Sequence, residues 1–387
     1  MTYYDTIVNP STFARKASSE QMRNLRMLGQ SNDWKQAASA WGREQLFACR
    51  VICGEPTRRL PIFADGDHYR AVDPATDHSF IQNVISGPGQ NVNLAEMWEP
   101  QLVQMFEPDS LGQVWAALAP FFRAETATDG GDGGDDDSSL AAHGRPRRER
   151  TSPDRFGPFI TSTGYQIGSS PIEDDASSHA SSVGFTMAMS APLVEDATVR
   201  LAACFIRNVV NYAQTRYKPS PFIQFRDERQ ARSYITGGGK KINAIDDGGL
   251  QLYDGKLMFQ VATLEAKRAF QITDDGKPIV SDRVLAQLVG ETLVLRQHVP
   301  SPTVAKDDFI AILAVSHYVK FFQFRITDDF LTNFETLSIR DHTSGAQFLR
   351  VNSTIWLDLK RADHRYEAVT HLLALLSWAD RSGNTVS

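Results

Sequence analysis

Along the second half of the chain the apolar positions take first a helical and then a strand-like spacing. In LVEDATVRLAACFIRNVVNYAQTRY (193 to 217) they recur at Leu201, Phe205, Val209 and Tyr212, one face of a long helix that Lys218-Pro219 closes. FIQFRDERQARSYI (222 to 235) alternates as a strand does, and TGGGKKINAI (236 to 245) reads as a loop. A hairpin follows, GGLQLY against LMFQVATLEAK about Asp254-Gly255, and then a helix opened by Ser281, SDRVLAQLVGETLVL. FIAILAVSHYVKFFQFRI (309 to 326) and STIWLDL supply further strand, and YEAVTHLLALLSWAD is a final amphipathic helix. The order is helix, three strands, helix, strand, which predicts an α/β (α+β) mixed sheet flanked by helices.

The first 123 residues read as a mostly helical region. Helical patterns occur at SSEQMRNLRML, DWKQAASAWGREQLF, NLAEMWEPQLVQMF and LGQVWAALAPFF, with a strand-like FACRVICG between them. FADGDHYRAVDPATDH (63 to 78) gathers acids and histidines, a set that reads as a polar loop rather than a metal site. No chemistry is assigned to this region.

Composition then divides the chain. Of 387 residues 42% are hydrophobic and 22% charged, enough for one or two sizeable cores. The net charge of −6 is unevenly placed: TDGGDGGDDDSS holds Asp129, Asp132, Asp135, Asp136 and Asp137, and without them the remainder is nearly neutral. This tract runs into RPRRERTSPDR, and the two lack the apolar residues that offset ordering entropy, so 124 to 155 reads as a disordered acidic and basic linker. The basic part reads as a solvated charge run, with a nuclear-import signal as the alternative. A second polar stretch, GSSPIEDDASSHASS (168 to 182), reads as mobile. The expected domains are therefore 1 to 123, the linker, and 156 to 387. Cys49, Cys53 and Cys204 read as buried thiols of a reducing compartment. The apolar runs are too short to span a bilayer and the start of the chain lacks a secretory layout, so the expected location is intracellular, cytoplasmic or nuclear.

One feature carries chemistry. The apolar strand LMFQVATLEAK ends in Glu265 and Lys267, and its hairpin partner is preceded by Asp246 and Asp247. Residues equally far from a turn face one another, so three or four charges meet at one point. A two-residue Asp254-Gly255 loop puts Asp246 on the face of Glu265 and Lys267; a three-residue loop or a bulge at Gly248-Gly249 puts Asp247 there, because a one-residue slip reverses the face. Both registers are open at this stage. An ion pair finishing two strand ends is the plain alternative.

At these residues the chain resembles the PD-(D/E)XK nuclease superfamily, whose restriction-endonuclease-like core has the same helix, three strands, helix, strand series. DDGGLQLY, LEAKRAF and SDRVLAQLVGE are similar to a group of uncharacterised fungal proteins placed in that superfamily. The motif-bearing part is 222 to 296, and a weaker resemblance in order and pattern covers 193 to 380. The proline of the family name is absent, with Asp246 standing before Asp247. The resemblance implies that Asp247 and Glu265 hold Mg²⁺ or Mn²⁺ and that Lys267 orients the attacking water or stabilises the charge that develops on phosphate. It also implies Glu195 as a third ligand and Gln287 beside the metal site, with Glu291 one turn further on the same helix face.

The substrate it implies is DNA or RNA. From 222 to 270 eight basic residues (Arg226, Arg229, Arg232, Lys240, Lys241, Lys256, Lys267, Arg268) stand against six acidic ones, and a metal on Asp247 and Glu265 would leave a positive field for a phosphate backbone. TGGGKK does not fit a phosphate loop, since Tyr234 stands where glycine is needed and Lys241 where a hydroxyl is needed. G-x-S-x-G, H-E-x-x-H and dinucleotide fingerprints are absent, and His317 reads as a core or edge histidine. The expected function is a metal-dependent nuclease. The alternative is a nuclease-fold module without turnover that binds nucleic acid or protein, for example in a fungal self/non-self or toxin-like system.

Overall fold

The structure is a computed structural model that describes residues 1–70, 79–129, 195–218, 220–271, 273–274, 277–297, 302–337 and 347–386. Its centre is an eight-stranded mixed sheet. In chain order its strands are β1 (Val51–Cys53), β2 (Phe222–Arg226), β5 (Gly248–Asp254), β6 (Leu257–Lys267), β7 (Asp308–Val315), β8 (Tyr318–Arg325), β9 (Leu349–Ser353) and β10 (Leu357–Asp358). The spatial order is β1-β9-β8-β7-β6-β5-β2, with β10 also paired to β8. Two neighbours are parallel, β6 with β7 and β1 with β9; the rest are antiparallel. A separate hairpin joins β3 (Gln230–Ile235) to β4 (Lys241–Asp246). The long helices are α1 (Asp109–Asp129), α2 (Glu195–Ala213), α3 (Asp282–Gln297) and α4 (Ala362–Val386).

β6, α3 and β7 form the crossover that a parallel pair requires. Helices cover both faces of the sheet, and this explains why β7, DFIAILAV, is an unbroken apolar run. Its Ile310, Ile312 and Ala314 enter one core with Leu201, Phe205 and Val209 of α2 and Leu372 of α4. Its Phe309, Ala311, Leu313 and Val315 enter the other with Leu285, Leu288 and Val289 of α3.

Both cores draw on the first half of the chain. Leu60, Phe63, Trp115 and Leu118 belong to the α2 side, and Tyr3, Phe13, Trp41 and Phe47 to the α3 side. Strand β1 pairs Val51 with Leu349 and Cys53 with Val351, across almost the whole chain length. The segment Ala38–Ala40 packs on α3 where Gly290 makes room: a Cβ there would stand 2.8 Å from the Cβ of Ala38. Asp282, the first residue of α3, accepts from the Tyr3 backbone N–H at 2.6 Å and from Arg43 at 3.0 Å. The division into an N-terminal region and a C-terminal domain therefore does not extend to the packing.

Several expected elements differ in detail. The run 222 to 235 is two strands, because the chain bends at Asp227-Glu228-Arg229, and 241 to 246 is strand rather than loop. The matching bend on the partner lies at Asp247, since β4 pairs with β3 up to Asp246 and β5 pairs with β2 from Gly249. Ser316 (φ +56°) and His317 turn the long apolar run back on itself as β7 and β8. Helix α1 continues to Asp129, past the expected linker start at 124; residues 130 to 155 and 168 to 182 lie outside the described residues, as does 71 to 78 of the acidic and histidine-rich loop. In the first 50 residues the expected helix over 18 to 28 is broken, with helix only at its ends, that over 33 to 47 is helical only at Ala38–Ala40 and from Arg43 on, and the helices Tyr3–Thr6 and Pro10–Ser19 lie where the pattern gave none. Cys49 and Cys53 are buried and Cys204 is half-buried. No helix among the described residues is long and apolar enough to cross a membrane.

Candidate functional site

The hairpin turn lies one residue later than expected, at Gly255-Lys256, with Asp254 facing Leu257. From there the ladder pairs Tyr253 with Met258 and Gln251 with Gln260, and then slips by one, so that Leu250 faces Ala262 and Gly248 faces Leu264. Val261 is the extra residue of this bulge. Buried Gln260 holds it, donating from Nε2 to the carbonyls of Leu250 (3.3 Å) and Ala262 (2.6 Å). One step further, Asp247 comes level with Glu265: its backbone N–H donates to the Leu264 carbonyl at 2.9 Å, and its Oδ2 accepts from the Ala266 N–H at 3.0 Å. Asp246 has a different role. Its carboxylate is taken up by Arg226 (2.8 Å), Arg232 (2.6 Å) and the Gln230 N–H (3.1 Å). Asp247 thus takes the place beside Glu265, but through a bulge at Val261 on the partner strand and not through a three-residue loop or a bulge at Gly248-Gly249, which pair regularly with Leu264 and Thr263.

Glu265 is fully buried, and its Oε1 accepts from Lys267 Nζ at 2.5 Å and from Gln287 Nε2 at 2.6 Å. The same Gln287 nitrogen donates to Oε1 of Glu291 at 2.8 Å, while Oε2 of Glu291 is buried with no hydrogen-bond partner among the described residues. Gln287 and Glu291 are one turn apart on α3, which packs over this end of β6. Glu195, the first residue of α2, stands with Lys267, Arg268, Phe270, Arg283 and Gln287 around a cleft of about 620 Å³. Asp247, Glu265, Lys267, Gln287 and Glu195, the five site residues expected from the sequence, therefore gather at one end of β6, and Glu291 joins them.

Burial sets the electrostatics. It raises the carboxyl of Asp247, and it raises those of Glu265 and Glu291, which also repel each other. For the Lys267 ammonium burial acts downward and is the largest single effect, but Glu265, Glu195 and Glu291 together outweigh it and the net shift is upward. Among the described residues no group of three or more His, Cys, Asp or Glu side chains is gathered closely enough to hold a metal ion. The available donors are the pair Asp247 and Glu265. They fit a hard divalent cation that keeps several waters: Glu265 stands on β6, the Asp247 carboxylate is fixed to that strand by the Ala266 N–H, and a positive charge would relieve carboxylates that burial holds above their ordinary range.

Arg229, at the strand bend, has no role in the sequence reading beyond its charge, yet its Nε lies 3.1 Å from Oδ1 of Asp247. The break of alternation at Asp227-Glu228-Arg229 was the available signal. His317 is half-buried between Phe121 and Tyr318, with Asp358 Oδ1 3.5 Å from its Nε2, and its imidazole is pushed down to about 3 by desolvation. Comparison of the chain with protein-family models, with curated proteins and with solved structures returns no match.

Proposed function

We propose that the chain is a metal-dependent nuclease with a restriction-endonuclease-like core, hydrolysing phosphodiester bonds of DNA or RNA. The observation that carries this reading is the gathering of Asp247, Glu265, Lys267 and Gln287 in one buried cluster at the mouth of a cleft. The element series α2, β2, β5, β6, α3, β7 supports it, being the helix, three strands, helix, strand order of the superfamily that the motif residues resemble.

Asp247 and Glu265 would hold Mg²⁺ or Mn²⁺, which when bound supplies an activated water and neutralises charge on phosphate. Lys267, fixed by Glu265, is placed to donate to an oxygen on which negative charge develops. Gln287 donates to the same Glu265 oxygen as Lys267, so that the orientation of the carboxylate does not depend on the ligand. Arg268 and Arg283 line the cleft with positive charge suited to the flanking phosphates.

A second reading has its own observation. Lys267 on Glu265 and Arg229 on Asp247 pair each carboxylate with a cation of the chain, as a binding module without turnover would. Calorimetric titration of Mg²⁺ and Mn²⁺ into wild type and Glu265→Ala, with cleavage of single- and double-stranded DNA and RNA followed in parallel, separates the two. Binding and cleavage lost together in the variant support the nuclease. Cation binding without cleavage of any strand supports the module, and no cation binding by wild type removes the metal-dependent reading.

A further inference from the structure

Four cations approach the acidic residues of this site, and they fall into two kinds. Arg226 and Arg232 have side chains only 4% and 7% exposed and are both committed to Asp246, so they belong to the interior. Lys267 is nearly as enclosed and is committed to Glu265. Arg229 differs. Its side chain is 28% exposed while the Asp247 side chain it meets is 0% exposed, and it comes from the bend between β2 and β3 rather than from within a strand. Its guanidinium also lies 3.9 Å from Asp196 at the start of α2, on the solvent side. Arg229 therefore caps the buried carboxylate from the direction in which solvent lies.

A guanidinium and a divalent cation compete for the same oxygen, because each brings positive charge to Oδ1 of Asp247 and they repel each other across a short distance. The planar fork that leaves a carboxylate is equally suited to a phosphate. We propose that Arg229 is a resident counter-ion that neutralises Asp247 until a divalent cation arrives and then turns to a phosphate of the nucleic-acid strand. The inference rests on the proposed function, and it adds a coupling: cation and strand each favour the arrangement in which the other binds. Arg229 is a substrate-contacting residue in the second arrangement only. The exposed position allows this exchange, which the enclosed Arg226, Arg232 and Lys267 do not.

The test is calorimetric titration of Mn²⁺ into wild type, Arg229→Ala and Arg229→Lys, followed by binding of phosphorothioate-linked DNA and RNA strands with Mn²⁺ present over a range of salt. Arg229→Ala is expected to bind Mn²⁺ about tenfold more tightly, equivalent to about 1.4 kcal/mol. Its affinity for the strand should fall about tenfold, with the slope of log affinity against log salt reduced by about one. Arg229→Lys, which keeps a cation but loses the fork, should hold Mn²⁺ as wild type does. Unchanged or weaker Mn²⁺ binding by Arg229→Ala overturns the inference, as does tighter Mn²⁺ binding with an unaltered strand affinity. If wild type and Arg229→Ala are both folded by circular dichroism and both silent to Mn²⁺, it is the proposed function that fails, and the inference goes with it.

Discussion

Asp247 stands level with Glu265 because β6 carries one residue more than β5 across the bulge at Val261. On the uninterrupted ladder of the turn, Asp246 would occupy that place, and Asp246 is the residue that Arg226 and Arg232 hold. A single extra residue thus chooses which of two adjacent aspartates stands beside Glu265.

The bulge depends on close approach of two backbones. A Cβ at position 249 would lie 2.4 Å from the Ala262 carbonyl oxygen and 2.9 Å from Gln260 Nε2. Gly249→Ala is expected to cost about 1–3 kcal/mol in urea denaturation and to weaken the titration of Mn²⁺. Gln260→Ala, which leaves the carbonyls of Leu250 and Ala262 without its amide, should cost about 2 kcal/mol. Wild-type stability in both variants would show that the register is set elsewhere.

Glu291 is raised well above the ordinary glutamate range, first by burial and then by Glu265. Its folded pKa exceeds that of the unfolded chain, so folding takes up a proton, and this group's effect on stability worsens as pH rises from the ordinary range towards the raised one. Glu291→Gln should therefore be more stable than wild type in metal-free buffer near pH 8, with the advantage gone near pH 4. Thermal melting across that range checks it; a constant difference would point to packing rather than charge.

Lys320 is 2% exposed, donates to the Thr354 carbonyl and has its Nζ 5.5–5.7 Å from the ring centres of Tyr4, Phe322 and Trp356. Burial pushes its ammonium down to about 7. Here the folded pKa lies below the unfolded one, so folding releases a proton and stability is lost as pH falls from the ordinary lysine range to neutrality. Lys320→Met should be more stable by about 2 kcal/mol at neutral pH, after allowing for the lost cation–π contact, and the gap should close towards about pH 10. A variant less stable at neutral pH would mean that the aromatic cage outweighs desolvation.

Removal of residues 1 to 50 would uncover α3 where Trp41 and Ala38 meet Gly290 and where Tyr3 and Arg43 meet Asp282. The shortened chain is expected to lose its cooperative urea transition and to bind a hydrophobic dye, because one of its two cores loses a wall. A sharp transition near that of the full chain would restore the view of an independent C-terminal domain.

The hairpin of β5 and β6, the helix carrying Gln287 and Glu291, and the Glu265-x-Lys267 strand end were legible because each rests on short-range periodicity. The choice between Asp246 and Asp247 was legible only as an alternative, since both registers satisfy the local pattern. The strand bend in 222 to 235 showed only as a break of alternation at Asp227-Glu228-Arg229, with strand-like spacing on either side, and that break does not say that Arg229 meets Asp247.

By itself the sequence determined the long helices, the hairpin of β5 and β6, their order and the residue types at the site, all of which follow from side-chain spacing over a few turns or strand steps. The tertiary structure decided the rest: the slip at Val261, the pairing of Val51–Cys53 with Leu349–Val351, and the partnership of Arg229 with Asp247. These are contacts between residues distant along the chain or dependent on a one-residue register. Their energies come from packing, backbone approach and burial of charge, which a local pattern does not encode.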